Sequence, residues 1–163
     1  MAFVLFNFAA VAALVGIDQA IKLWASNVLQ PVGAMPLIPH VVELRFVLNQ
    51  GMAFSMLSGK QLFLIIATSI ALLFVAYALF FRSRGKRLQQ AALILVLGGG
   101  IGNLIDRLAN SRVTDMICLD FVNFPVFNVA DCFITVGCFA LIVYVIFLDR
   151  TEDKKRENTP SES

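Results

Sequence analysis

Four long apolar runs dominate the chain, at about 2–25, 62–81, 88–108 and 127–148. A helix rises about 1.5 Å per residue, so about 20 predominantly apolar residues cross a hydrocarbon layer about 30 Å thick. Each run reaches that length. Of the 163 residues, 59% are hydrophobic and 15% charged, which is too little polar surface for a soluble or disordered chain. The fold class that follows is an all-α integral membrane protein with four transmembrane helices. Residues 1–150 form one transmembrane domain. The polar end, 151–163, is expected to be a disordered tail.

The first run lacks a basic leading segment, and Asp18 and Lys22 interrupt it. It therefore reads as a retained helix rather than a cleaved signal peptide. Lysine and arginine set the orientation. The short link between runs two and three holds Arg82, Arg84, Lys86 and Arg87, and the tail holds Arg150, Lys154, Lys155 and Arg156. The longer links, 26–61 and 109–126, carry only Arg45, Lys60 and Arg112. Basic residues stay on the cytoplasmic side, so both termini are expected there and the long links outside. Within the first of those links, "HVVELRFVLN" alternates: Val42, Leu44, Phe46 and Leu48 share one expected face. That is the period of a strand, and it predicts a small extracytoplasmic sheet.

Polar residues inside spanning helices are costly and usually face a bundle interior or water. Here Asp18, Gln19 and Lys22 fall late in run one. Asn103, Asp106 and Arg107 fall late in run three, and Asn128 and Asp131 open run four. With the orientation above, all three groups lie at one depth, near the extracytoplasmic surface. The link bearing Asp115 is tethered to the same layer. Taken singly, each has a structural explanation. Asp18 and Lys22 are four apart on one helix face and can pair. Asp106 and Arg107 can anchor a helix end. Asn128 and Asp131 suit a helix N-terminus. Gly98 and Gly102 make a small-residue face for close helix packing. Taken together, Asp115 and Asp131 can meet at the mouth of the bundle. Two adjacent carboxyls do not both ionise easily, so the pair shares a proton, which suffices for general acid–base hydrolysis.

The residue inventory narrows the chemistry. His40 is the one imidazole, in a proline-rich loop, so neither a multi-histidine zinc site nor a Ser-His-Asp triad is expected. Cys118, Cys132 and Cys138 form no CxxC pair and read as small buried hydrophobes. No cofactor, metal or nucleic-acid partner is expected. Two other classes remain open from these residues alone. A proton-coupled transporter or channel subunit would more often place its acids at mid-depth or show repeats. An assembly protein would use the same acids only to pair and cap.

Five motifs in order add a resemblance: "DQAIK" at 18–22, "NQGMAF" at 49–54, "GGGIGNLIDR" at 98–107, "VTD" at 113–115 and "FNVAD" at 127–131. They resemble those of the bacterial lipoprotein signal peptidases, also called signal peptidase II. The resemblance implies a cytoplasmic-membrane aspartyl endopeptidase acting on prolipoproteins whose lipobox cysteine carries diacylglycerol. It would cut just before that cysteine. It implies Asp115 and Asp131 as the catalytic pair and a covering loop or short helix over the site. Asn49, Gly51, Asn103, Arg107, Asn128 and Ala130 would line the substrate site, with Asn49, Asn103 and Arg107 holding substrate carbonyls. Asp18, Lys22 and Asp106 would support the bundle. Membrane lipid is the surroundings, and a monomer is expected.

Overall fold

The computed structural model of the protein describes residues 1–51, 57 and 59–149. Met52–Phe54 of the second motif and the expected tail lie outside the described residues. Helices α1 (Ala2–Val32), α2 (Gln61–Arg82), α3 (Arg87–Asn110) and α4 (Val129–Leu148) are each long and apolar enough to cross a membrane. Strands β1 (Ala34–Ile38), β2 (Val42–Asn49) and β3 (Val113–Leu119) form one antiparallel sheet in the order β1-β2-β3.

The helix count agrees with the apolar runs, but two boundaries differ from expectation. α1 continues past Ala25 through a π-helical turn, Ala25–Leu29, and a last turn to Val32. Pro31 is tolerated there because it stands at the start of that last turn. Gly33 ends the helix, with φ of 85° and its N–H donated to the Leu29 carbonyl at 2.8 Å. That left-handed geometry favours glycine. α4 begins at Val129 rather than 127, because Asn128 is its N-cap.

The central helix is α3. Half of its apolar window is buried, against 17% for α1 and α2 and 11% for α4. It packs against all three neighbours. Leu93, Ile94 and Leu97 meet Val11 of α1 and Leu72 and Leu79 of α2 in the main core. The glycine run permits this closeness. A Cβ on Gly98 would meet Leu14, and one on Gly102 would meet the Asp18 carboxyl. One on Gly99 would meet the Ala130 carbonyl of α4. The small-residue face is thus a packing surface that seats α1 along α3. The outward faces carry exposed Phe6, Leu62, Phe74, Phe139 and Phe147, as lipid-facing helices should. Cys138 belongs to that exposed face, which corrects its reading as a buried residue; Cys118 is buried and Cys132 half-buried.

The sheet rests on the end of α1: Ala25 and Leu29 pack with Met116, Leu44 and Phe46. The expected single face of β2 is broken. Val42 and Leu44 pair with Leu119 and Ile117, but beyond a register shift Val47 and Asn49 pair with Asp115 and Val113. Side chains alternate along a strand, so this shift exchanges the faces. It leaves Leu48 exposed and turns Asn49 onto the face that carries Asp115.

Candidate active site

Asp115 occupies the middle of β3, 2% exposed. It reaches that place because β3 is tied to α3: the Asp106 Oδ2 accepts the Thr114 N–H at 3.1 Å. Both carboxylate oxygens of Asp115 accept amide donors. Asn49 Nδ2 donates to Oδ2 at 3.0 Å and Asn128 Nδ2 to Oδ1 at 2.6 Å. Asn49 is itself held, since its Oδ1 accepts the Gly51 N–H at 2.8 Å.

Asp131 sits in the first turn of α4, where a reciprocal capping box fixes it. The Asp131 N–H donates to Asn128 Oδ1 at 3.0 Å, and the Asn128 N–H donates to Asp131 Oδ2 at 3.2 Å. The other oxygen accepts from Asn103 Nδ2 at 2.8 Å. Capping and site placement, separate readings of the sequence, are therefore the same contacts. Asn128 joins the two acids: its side chain binds one carboxyl and its backbone the other.

Asp115 and Asp131 line one cavity of about 540 Å³ with Asn49, Gly51, Asn103 and Arg107. Its remaining wall is largely apolar, from Phe124 to Phe127 and along α4 at Ile134 and Val136. Val136 is exposed on the lipid-facing flank, so the cavity reaches from the acids to the side of the bundle. Arg107 reaches the Gly51 carbonyl at 3.2 Å and its own helix at the Asn103 carbonyl at 3.4 Å. Burial pushes the Asp115 carboxyl up to about 6, opposed by the Asn49 and Asn128 donors and assisted by the charge of Asp131.

Behind the acids lies a charged cluster. Lys22 Nζ contacts Asp18 at 2.9 Å, Asp106 at 3.1 Å and Asn103 Oδ1 at 2.8 Å. Asp18 also accepts the Ala130 N–H at 3.1 Å. Buried charges persist only when paired and hydrogen-bonded, as here.

Two placements depart from the sequence expectation. Asn128 and Ala130 are fully buried and lie behind the cavity rather than on its wall. The cap and the Asp18 contact draw them inward. Asn103 and Asn49 do line the cavity, and each amide NH2 gives one of its two N–H donors to an acid. One contributor was given no role by the sequence. Gln19 Nε2 lies within 3.2 Å of Asp18, 3.1 Å of Asp106 and 3.1 Å of the Gly102 carbonyl. Its place between Asp18 and Lys22 was the available signal.

A four-helix membrane bundle whose end cavity is lined by two carboxyls within one hydrogen-bonded frame has the parts of an aspartic hydrolase of the membrane. Comparison with known proteins narrows the class. The family model described as Signal peptidase (SPase) II matches residues 10–147. A lipoprotein signal peptidase of Streptococcus pyogenes serotype M5 (strain Manfredo) is 42% identical over 86% of this chain and 90% of its own. That of serotype M3 (strain SSI-1) is 41% identical over the same shares. Two solved bacterial membrane enzymes share the fold. One has a TM-score of 0.80 at 27% identity, covering 97% of this chain and 93% of its own. The other has 0.79 at 28%, covering 88% and 94%. The chain belongs to the signal peptidase II family, bacterial membrane peptidases that remove signal peptides from prolipoproteins.

Proposed function

We propose that Asp115 and Asp131 together activate the water that cleaves a diacylglyceryl-modified prolipoprotein just before its lipidated cysteine. The observation that carries this reading is the shared frame. Two carboxyls face one cavity, each gripped by amide donors, and one residue, Asn128, touches both. Asp115, pushed up to about 6 by burial, is the member suited to carry the proton that the pair shares. Asp131 takes a proton from water as the water oxygen attacks the scissile carbonyl carbon. Asp115 gives its proton to the carbonyl oxygen. The tetrahedral intermediate then collapses as its C–N bond breaks, with the proton held on Asp131 passing to the leaving amine and one hydroxyl proton of the intermediate returning to Asp115. The Arg107 guanidinium, facing the same cavity, offers donors to a peptide carbonyl.

The apolar wall suits the substrate. The acyl chains stay in lipid at the flank of α4, which holds the scissile bond at the depth of the acids. The basic link at 82–87 supports a cytoplasmic location for the termini and an extracytoplasmic one for the sheet and cavity. In this reading residues 1–150 act as a single domain and as a monomer.

The test is cleavage of a lipidated precursor by purified enzyme in detergent. Asp115→Asn and Asp131→Asn should each lower the rate on the order of 10³-fold or more while insertion and helicity persist. Substantial cleavage by either variant removes the acid pair from the mechanism.

A further inference from the structure

We infer that Lys22 is a positioning residue for the acid pair, setting through Asn103 the direction in which the amides around both carboxyls point. This rests on the reading of Asp115 and Asp131 as the water-activating pair and extends it.

An asparagine side chain presents one acceptor oxygen and one donor NH2, and either end can face a given neighbour. Lys22 Nζ only donates, and it lies 2.8 Å from Asn103 Oδ1. The oxygen must therefore face α1, which aims the Asn103 NH2 at Asp131 Oδ1, 2.8 Å away. The same oxygen also accepts Asn128 Nδ2 at 3.1 Å. That contact turns the Asn128 NH2 inward, where it meets Asp115 at 2.6 Å. Its oxygen is then left to cap α4. A single cation on α1 thereby determines donors on α3 and α4 that grip both acids. Lys22 is itself 4% exposed and acts on the acids through these amides.

A purely structural lysine would need only its two ion pairs, with Asp18 and Asp106. The third contact, to a neutral amide oxygen, is the one that reaches the acids. The charge also reaches them: Lys22 opposes the burial that raises Asp115. The ionisable groups bearing on the pair are Asp18 and Lys22 from α1, Asp106 and Arg107 from α3, Cys132 from α4, and the two acids themselves. Lys22 and Arg107 are the cations in that set.

The experiment compares Lys22→Met with the charge-balanced pair Lys22→Met/Asp18→Asn, by rate per folded enzyme and by pH profile. Lys22→Met alone strands two buried carboxylates and destabilises the bundle. The balanced pair removes one charge of each sign, and Asp18→Asn retains a side-chain oxygen for the Ala130 N–H. The positioning role predicts that the balanced pair recovers thermal stability yet stays slow in kcat, on the order of 10²-fold, with KM little changed. The alkaline limb of its kcat profile, set by loss of the Asp115 proton, should move to higher pH, since the Asn128 donor that opposes the burial of that carboxyl is no longer aimed at it. Recovery of both kcat and the parental pH limb would overturn the inference and leave Lys22 a structural ion. A balanced pair that stays unstable but shows parental kcat per folded molecule overturns it equally. Asp115→Asn, assayed alongside, separates the two readings: activity there sinks the acid pair itself, whatever Lys22 does.

Discussion

The acid cluster at one end of the bundle and the polar contact at the other treat buried polar groups in opposite ways. At the sheet end, Asp18, Lys22, Asn103, Asp106, Asn128 and Asp115 are buried, and each makes hydrogen bonds or ion pairs across elements. At the far end, beside the link between α2 and α3, Asn7 is fully buried. Its oxygen accepts Gln90 Nε2 at 2.6 Å, while Asn7 Nδ2 and Gln89 Oε1 meet no protein partner among the described residues. A satisfied network fixes one geometry, whereas a partly satisfied one leaves its groups only weakly specified. The difference separates a layer that must hold two acids in register from one that needs only to join helices.

Gly102→Val should break the ordered end most severely. Its side chain would displace the Asp18 carboxyl, costing about 1–3 kcal/mol and most of the cleavage activity. Gly16→Ala on α1, where an added Cβ meets nothing, should leave activity unchanged in the same precursor assay.

A bulky maleimide offers a finer cut. Cys132 lines the cavity, so its alkylation should block cleavage, and Cys132→Ser should make the enzyme resistant. Cys138 faces lipid further along α4, so Cys138→Ser should leave the inhibition unchanged. Inhibition that survives Cys132→Ser would refute this placement.

Stability should also depend on pH through Asp115. Its carboxyl is raised from 3.8 to about 6, so the folded state holds the proton more tightly than the unfolded chain. The resulting stabilisation is complete below pH 3.8 and fades as pH rises through about 6, an interval worth roughly 3 kcal/mol. Thermal unfolding of Asp115→Asn should lack that decline, so the gap between parent and variant should change across the same window.

The smallest effect belongs to the far end. Asn7→Leu with Gln90→Leu should shift stability by no more than about 1 kcal/mol, because a half-paired polar contact gives way to apolar packing. Cleavage should be unaffected. A large loss of rate would mean that the two ends are coupled.

Much of the sheet end was legible in the sequence. Polar residues stand out inside apolar runs, and a common depth follows from helix direction alone. What escaped has definable causes. β3 is covered on both sides, so "VTDMICL" shows no alternation and reads as a link. The register shift in β2 moves Asn49 onto the face of Asp115, and no local periodicity signals it. The extension of α1 was hidden by Pro31, ordinarily a stop signal. Burial of Asn128 and Ala130 behind the cavity depends on how α1 meets α4, which only the packed bundle reveals.

Asn128 gives one acid its seat and starts the helix that carries the other. The N-cap of the last span and the seat of the second carboxyl thus share a single side chain, so a change at position 128 reaches both at once.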